Sequence, residues 1–103
     1  MHQIDLKLGK KIYFIGIGGI SMSALAKLLS TRGFWVSGSD IVKNEQTDSL
    51  AFYGVKTYVG EAENRAELLE ATTVVYTDAI SQKNKELQAA VVDMVVMEAI
   101  LVN

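Results

Sequence analysis

The sequence predicts an α/β fold: an open parallel sheet of about five strands, in the order 3-2-1-4-5, with helices on both faces. Three observations lead there. Short apolar, β-leaning runs alternate with stretches of helical spacing, the pattern of repeated strand-helix-strand crossovers. The first run, Lys11 to Ile15, ends in Gly16-Ile17-Gly18-Gly19 and opens directly into a helical segment. A second run ends at Asp40, roughly 20 residues beyond the glycines, where a doubly wound sheet brings an acidic group to its carboxyl edge. Together they describe a single Rossmann-like nucleotide-binding domain over residues 11–103, preceded by a leader or edge strand over residues 1–10.

The elements follow in order. In the leader, Ile4, Leu6 and Leu8 alternate with polar neighbours, as an edge strand or extended arm would. Strand one covers Lys11 to Ile15, and helix one Ile20 to Thr31, with Ile20, Leu25, Leu28 and Leu29 facing inward. Gly33 stops that helix, because it can take the left-handed C-terminal conformation. Strand two, from Phe34, ends in Ser37-Gly38-Ser39-Asp40. A helix from Thr47 to Tyr53 follows, with Leu50 and Tyr53 inward and Gly54 at its end, then strand three from Val55 to Val59. Gly60 to Glu67 is polar and acidic and reads as a solvated turn and helix face. Thr72 to Thr77, rich in β-branched residues, is strand four. Lys83 to Val92 is a helix with Leu87, Ala90 and Val91 inward, and Met94 to Met97 a fifth strand. Ile100, Leu101 and Val102 would be covered by something further on or by a partner chain.

Composition bounds the chemistry. A chain of 103 residues, 50% hydrophobic, supports one packed core. The net charge of -2 gives no electrostatic footprint for nucleic acid or an anionic membrane. There is no cysteine, hence no disulfide and no thiolate metal site. His2 stands alone near a terminus, and one histidine without partners makes no site. No apolar run reaches the ~18 residues of a membrane span, and the first residues lack a signal-peptide core. A cytoplasmic protein is the expectation. Proline is absent, where average usage would supply about five.

The chemistry concentrates in three loops. In the first, Gly16, Gly18, Gly19, Ile20 and Ser21, small residues admit a diphosphate close to the backbone, and the N-H groups at the helix start, aided by its dipole, face the anion. In the second, Ser39, Asp40 and Ile41, the Asp40 carboxylate can accept from a ribose hydroxyl or a uracil N-H; the alternative for Asp40 is a helix N-cap. In the third, Thr77, Asp78, Ala79 and Ile80 follow strand four, which lies across the switch point from strand one. They face the glycine loop there or merely close a turn. Met22, beside the glycines, reads as core filler.

Tyr13 to Ala26, Val36 to Asp40 and Val74 to Ile80, three motifs in order, resemble the N-terminal domain of the Mur ligase family, and within it the members that join L-alanine to UDP-N-acetylmuramate. The resemblance covers nearly the whole stretch from Lys11 to Met97. It implies a three-domain, ATP-dependent ligase of peptidoglycan precursor synthesis whose first domain holds a UDP-sugar. The glycine-loop amides from Gly18 to Ser21 would then bind the diphosphate, Ser39-Asp40-Ile41 would meet the uridine, and Thr77 to Ile80 would close the other side.

There are departures. Ser21 stands where the family usually has glycine, Glu61 where a histidine commonly follows the glycine of strand three, and Ser81-Gln82-Lys83-Asn84 where a proline is usual. The family's GKT/S loop is not in this sequence. Phosphoryl transfer needs a positioned lysine and metal-held phosphates, so ATP and magnesium are expected only in a central domain, and this stretch is expected to bind without catalysing. No resident cofactor is implied. The expected partners are a UDP-sugar nucleotide, the remaining ligase domains or a second copy through the C-terminal end. Two other readings stay open: an NAD-type dinucleotide-binding regulatory module, and a trimmed or redesigned scaffold that binds nothing well.

Overall fold

A computed structural model describes residues 10–93 and 95–98 of the chain, with side chains up to Ala90. Five parallel strands form one sheet in the order β3-β2-β1-β4-β5. They are β1 (Lys11–Ile15), β2 (Trp35–Asp40), β3 (Lys56–Val59), β4 (Thr73–Tyr76) and β5 (Val95–Glu98). Between them run α1 (Ile20–Thr31), α2 (Glu45–Leu50) extended by a 3-10 turn over Ala51–Tyr53, α3 (Ala66–Glu70) and α4 (Lys85–Asp93). The leader up to Gly9 and the apolar end from Ile100 to Val102, with the association expected of it, lie outside the described residues.

β1 is central because its side chains are apolar on both faces, as a parallel strand covered twice must be. Ile12 and Phe14 pack on one side with Met22, Ala26 and Leu29 of α1 and Leu50 of α2. Tyr13 and Ile15 pack on the other with Leu68 of α3 and Leu87 and Ala90 of α4. The register sets Ile15 beside Ser39 and Asp40 beside Val59, so the carboxyl ends of the central strands finish at one level. Gly38 makes the β1-β2 fit possible. A Cβ there would lie 2.5 Å from the Phe14 carbonyl oxygen and 2.9 Å from Ile17 Cδ1.

The structure corrects three details of the expected core. The buried row of α1 is Met22, Ala26 and Leu29, with Leu25 partly covered, while Leu28 is exposed and Ile20 is 77% exposed. Tyr53 is also exposed, because the helix tightens to 3-10 after Leu50 and turns that side chain away from the core. Finally, the stretch from Gly60 to Glu67 is not wholly solvated, because Arg65 is drawn inward.

Candidate functional site at the carboxyl edge of the sheet

Gly16 leaves β1 at φ +87°, a backbone conformation that favours glycine. The turn is pinned from β2: the amides of Gly16 and Ile17 donate to the Ser39 carbonyl at 2.8 and 2.9 Å. Ile17 then drops into the core. The next peptide is held by the β2–α2 loop. Gly18 N donates to Asp40 Oδ2 at 2.7 Å, and Gly18 O accepts from Asn44 Nδ2 at 3.2 Å. A Cβ on Gly18 would lie 2.8 Å from that carboxylate oxygen. The Gly18 amide is therefore spent inside the protein, against the expectation that it faces a diphosphate.

The helix start is different. Gly19 is the N-cap of α1 and has no side chain to cap it, and the Gly19 amide makes a long bond of 3.3 Å to Gly16 O. Two other helix starts, those of α2 and α4, are capped by side chains, whereas α3, with Arg65 at its N-cap, is not. Asn44 and Thr47 form a reciprocal capping box on α2. On α4, Asn84 Oδ1 accepts from the amides of Glu86 and Leu87, and Glu61 Oε1 accepts from that of Lys85 at 2.5 Å. The amino end of α1 lies at the cleft, its N-cap Gly19 has no side chain to accept from its amides, and an anion suits it.

Above it lies a cleft of about 830 Å³. Gly16, Gly19, Ile20 and Ser21 form its floor, Ser39, Asp40 and Ile41 one side, and Thr77, Asp78, Ala79 and Ile80 the other. Every residue singled out from the sequence lines it except Gly18. The third loop reaches across the switch point: Ile80 Cδ1 sits 3.0 Å from where a Gly16 Cβ would be. Asp40 does not cap α2, a role taken by Asn44; its second oxygen accepts from the Ile41 amide at 2.7 Å. Two backbone bonds thus orient the carboxylate at the cleft wall.

Sequence reasoning missed part of the lining, namely Ile15, Gly60, Ser81, Lys83 and Asn84, together with Met22, read as core filler, and Glu61, in the place of the family's histidine. The lining carries the acids Asp40, Glu61 and Asp78 against the single cation Lys83. Attraction for a phosphate must come mainly from main-chain N-H groups. Among the described residues no cluster of acids and histidine is arranged to hold a metal ion.

Beneath the cleft a polar network crosses the core. Glu86 is fully buried and accepts from the Tyr13 hydroxyl at 2.6 Å, from Arg65 Nη1 at 3.0 Å and from the Ser39 hydroxyl. Arg65 Nη1 also donates to the Tyr13 oxygen at 2.9 Å. Burial, and then the hydrogen bond to Glu86, push the Tyr13 phenol far above its ordinary pKa. This network was legible only in part. Glu86 lies one turn before Ala90 on the inward row of α4, an acid on an apolar face, while nothing local marks Arg65 as its partner.

The profile of the Mur ligase family, catalytic domain, matches residues 11–100. A UDP-N-acetylmuramate–L-alanine ligase of Clostridium kluyveri is 49% identical over 88 residues, covering 85% of this chain and 19% of that protein. The UDP-N-acetylmuramate:L-alanyl-gamma-D-glutamyl-meso-diaminopimelate ligase of Neisseria meningitidis superposes with a TM-score of 0.79 at 25% identity, over 87% of this chain and 28% of that one. A murein peptide ligase of Psychrobacter arcticus gives 0.76 at 26% identity, over 86% and 19%. The chain therefore spans about a fifth of the length of the curated relatives it matches. With the glycine turn, the acidic end of β2 and the loop after β4 gathered at one edge of the sheet, and with that match along nearly its whole length, this chain belongs to the Mur ligase family.

Proposed function

We propose that the cleft binds the UDP portion of UDP-N-acetylmuramate, and that the chain acts as the nucleotide-sugar domain of an ATP-dependent ligase that extends peptidoglycan precursors. The observation that carries this is the amino end of α1, with a glycine at its N-cap, opening on a cleft walled by Asp40 and by Thr77 to Ile80. The diphosphate would sit on main-chain N-H groups from Gly19 onward, with Gly16 and Gly18 shaping the turn. Asp40, already oriented, would accept from a ribose hydroxyl or the uracil N-H, flanked by Ser39 and Ile41. The names of the relatives, two of which specify a UDP-N-acetylmuramate ligase, support this ligand. Joining an amino acid to it would require the ATP and magnesium of a further domain, which is the expected partner in the same protein.

The test is a titration of the chain with UDP-N-acetylmuramate and, separately, NADH, followed by amide chemical shifts. The sugar nucleotide is expected to move Gly19, Ile20 and Asp40 at micromolar to millimolar ligand. A response to NADH alone would favour the dinucleotide module instead.

A further inference from the structure

We infer that Glu86 is a positioning residue that locks the glycine turn and the β3–α3 turn at a fixed separation across the cleft, an inference that rests on the cleft being the UDP-sugar site. Its carboxylate is buried and does not itself line the cleft, which it meets through the side chain of Ser39. Oε1 accepts from the Ser39 hydroxyl, and the Ser39 carbonyl in turn receives the amides of Gly16 and Ile17. Oε2 accepts from Tyr13 of β1, from Arg65, and from the Ala62 amide at 3.4 Å. Arg65 reaches back to the Gly60 carbonyl at 3.4 Å, and its guanidinium stacks on the Tyr58 ring at 4.3 Å.

The tie is reciprocal. Glu61, next to Gly60 on the cleft wall, accepts from the amide of Lys85, the residue before Glu86. One carboxylate thus joins β1, β2, the turn after β3 and the start of α4, all at the ligand edge of the sheet.

Stability does not explain such an arrangement. A buried ion pair gains little over a well-packed apolar replacement, because both charges must be stripped of water. What a fully satisfied buried network supplies is a single geometry. Arg65, 13% exposed and paired to Glu86, is committed to that geometry. It holds the wall, and the phosphates are left to the main chain.

The test uses Glu86→Gln in the 103-residue chain, with three readouts: the thermal melt, the amide signals of Gly16, Ile17, Gly60 and Glu61, and the Kd for UDP-N-acetylmuramate well below the melting temperature. The expected result is a folded variant whose signals shift in both turns and whose affinity falls by about tenfold. A purely structural role would lower the melt and leave the Kd of the folded protein unchanged, and that result overturns the inference. If Glu86→Gln does not fold, Arg65→Lys serves. It keeps the charge but lacks the planar guanidinium that stacks on Tyr58 and aims Nη1 at Glu86, Tyr13 and Gly60, and it is expected to weaken binding severalfold; unchanged affinity overturns the inference. Absence of binding by the unaltered chain overturns the proposed ligand. Unmoved Gly16 and Gly60 signals in Glu86→Gln overturn the positioning role whatever the ligand.

Discussion

Gly19→Ala separates what the glycine turn does for folding from what it does for binding. Gly19 has φ -64° and ψ 150°, a conformation any residue adopts. A Cβ there would meet nothing nearer than Gly16 O at 3.7 Å and Met22 Cβ at 3.8 Å, ordinary contacts. Two small effects on stability oppose each other. Stiffening the unfolded chain contributes about 0.4–1 kcal/mol. Replacing glycine by alanine at an N-cap costs about 0.5–1 kcal/mol.

They nearly cancel, so the melting temperature is expected to move by less than about 4 °C. Binding is another matter. A phosphate oxygen must come within about 2.9 Å of an amide nitrogen, whereas a methyl carbon on the adjoining Cα keeps its neighbours at roughly 3.5 Å. We expect the Kd for UDP-N-acetylmuramate to rise about tenfold or more, equal to about 1.4 kcal/mol. Calorimetric titration and a thermal melt on the same sample read both quantities. Unaltered affinity in the folded variant refutes the cradle, and a collapse of the melt refutes the steric reasoning.

Gly38→Ala should do the reverse. Its Cβ would stand 2.5 Å from a backbone oxygen, so β1 and β2 must separate, and a loss of about 3 kcal/mol or more is expected by denaturant titration. Asn44→Ala removes the capping box of α2 and the bond to Gly18 O; about 1 kcal/mol should be lost, seen as a fall of about 4–8 °C in melting temperature. Tyr13 sets an alkaline limit. Its folded pKa lies above the ordinary value of 10.0, so above that pH the unfolded chain releases a proton the folded chain keeps. Stability is therefore full below about pH 10 and falls as pH rises beyond it. Denaturant melts from pH 8 upward should show the decline, and Tyr13→Phe should flatten it.

The sequence by itself determined the order of strands and helices, the glycine turn at the head of α1 and the three loops that meet at the switch point. These rest on local rules: β-branched and apolar runs make strands, glycine admits a turn at positive φ, and crossovers in a parallel sheet are right-handed. It did not determine which amides remain for a ligand. Gly18 and Gly19 are neighbours of the same type, yet one donates to Asp40 and the other is the N-cap of a helix. That difference depends on a carboxylate 22 residues away and on the placement of β2 beside β1. Nor could it pair Arg65 with Glu86 or bring Ser39 and Tyr13 to them, since the contacts span 21, 47 and 73 residues of chain. Only tertiary structure decides such matters, because a hydrogen bond depends on distances of a few tenths of an ångström between groups that the sheet, and not the local sequence, brings together.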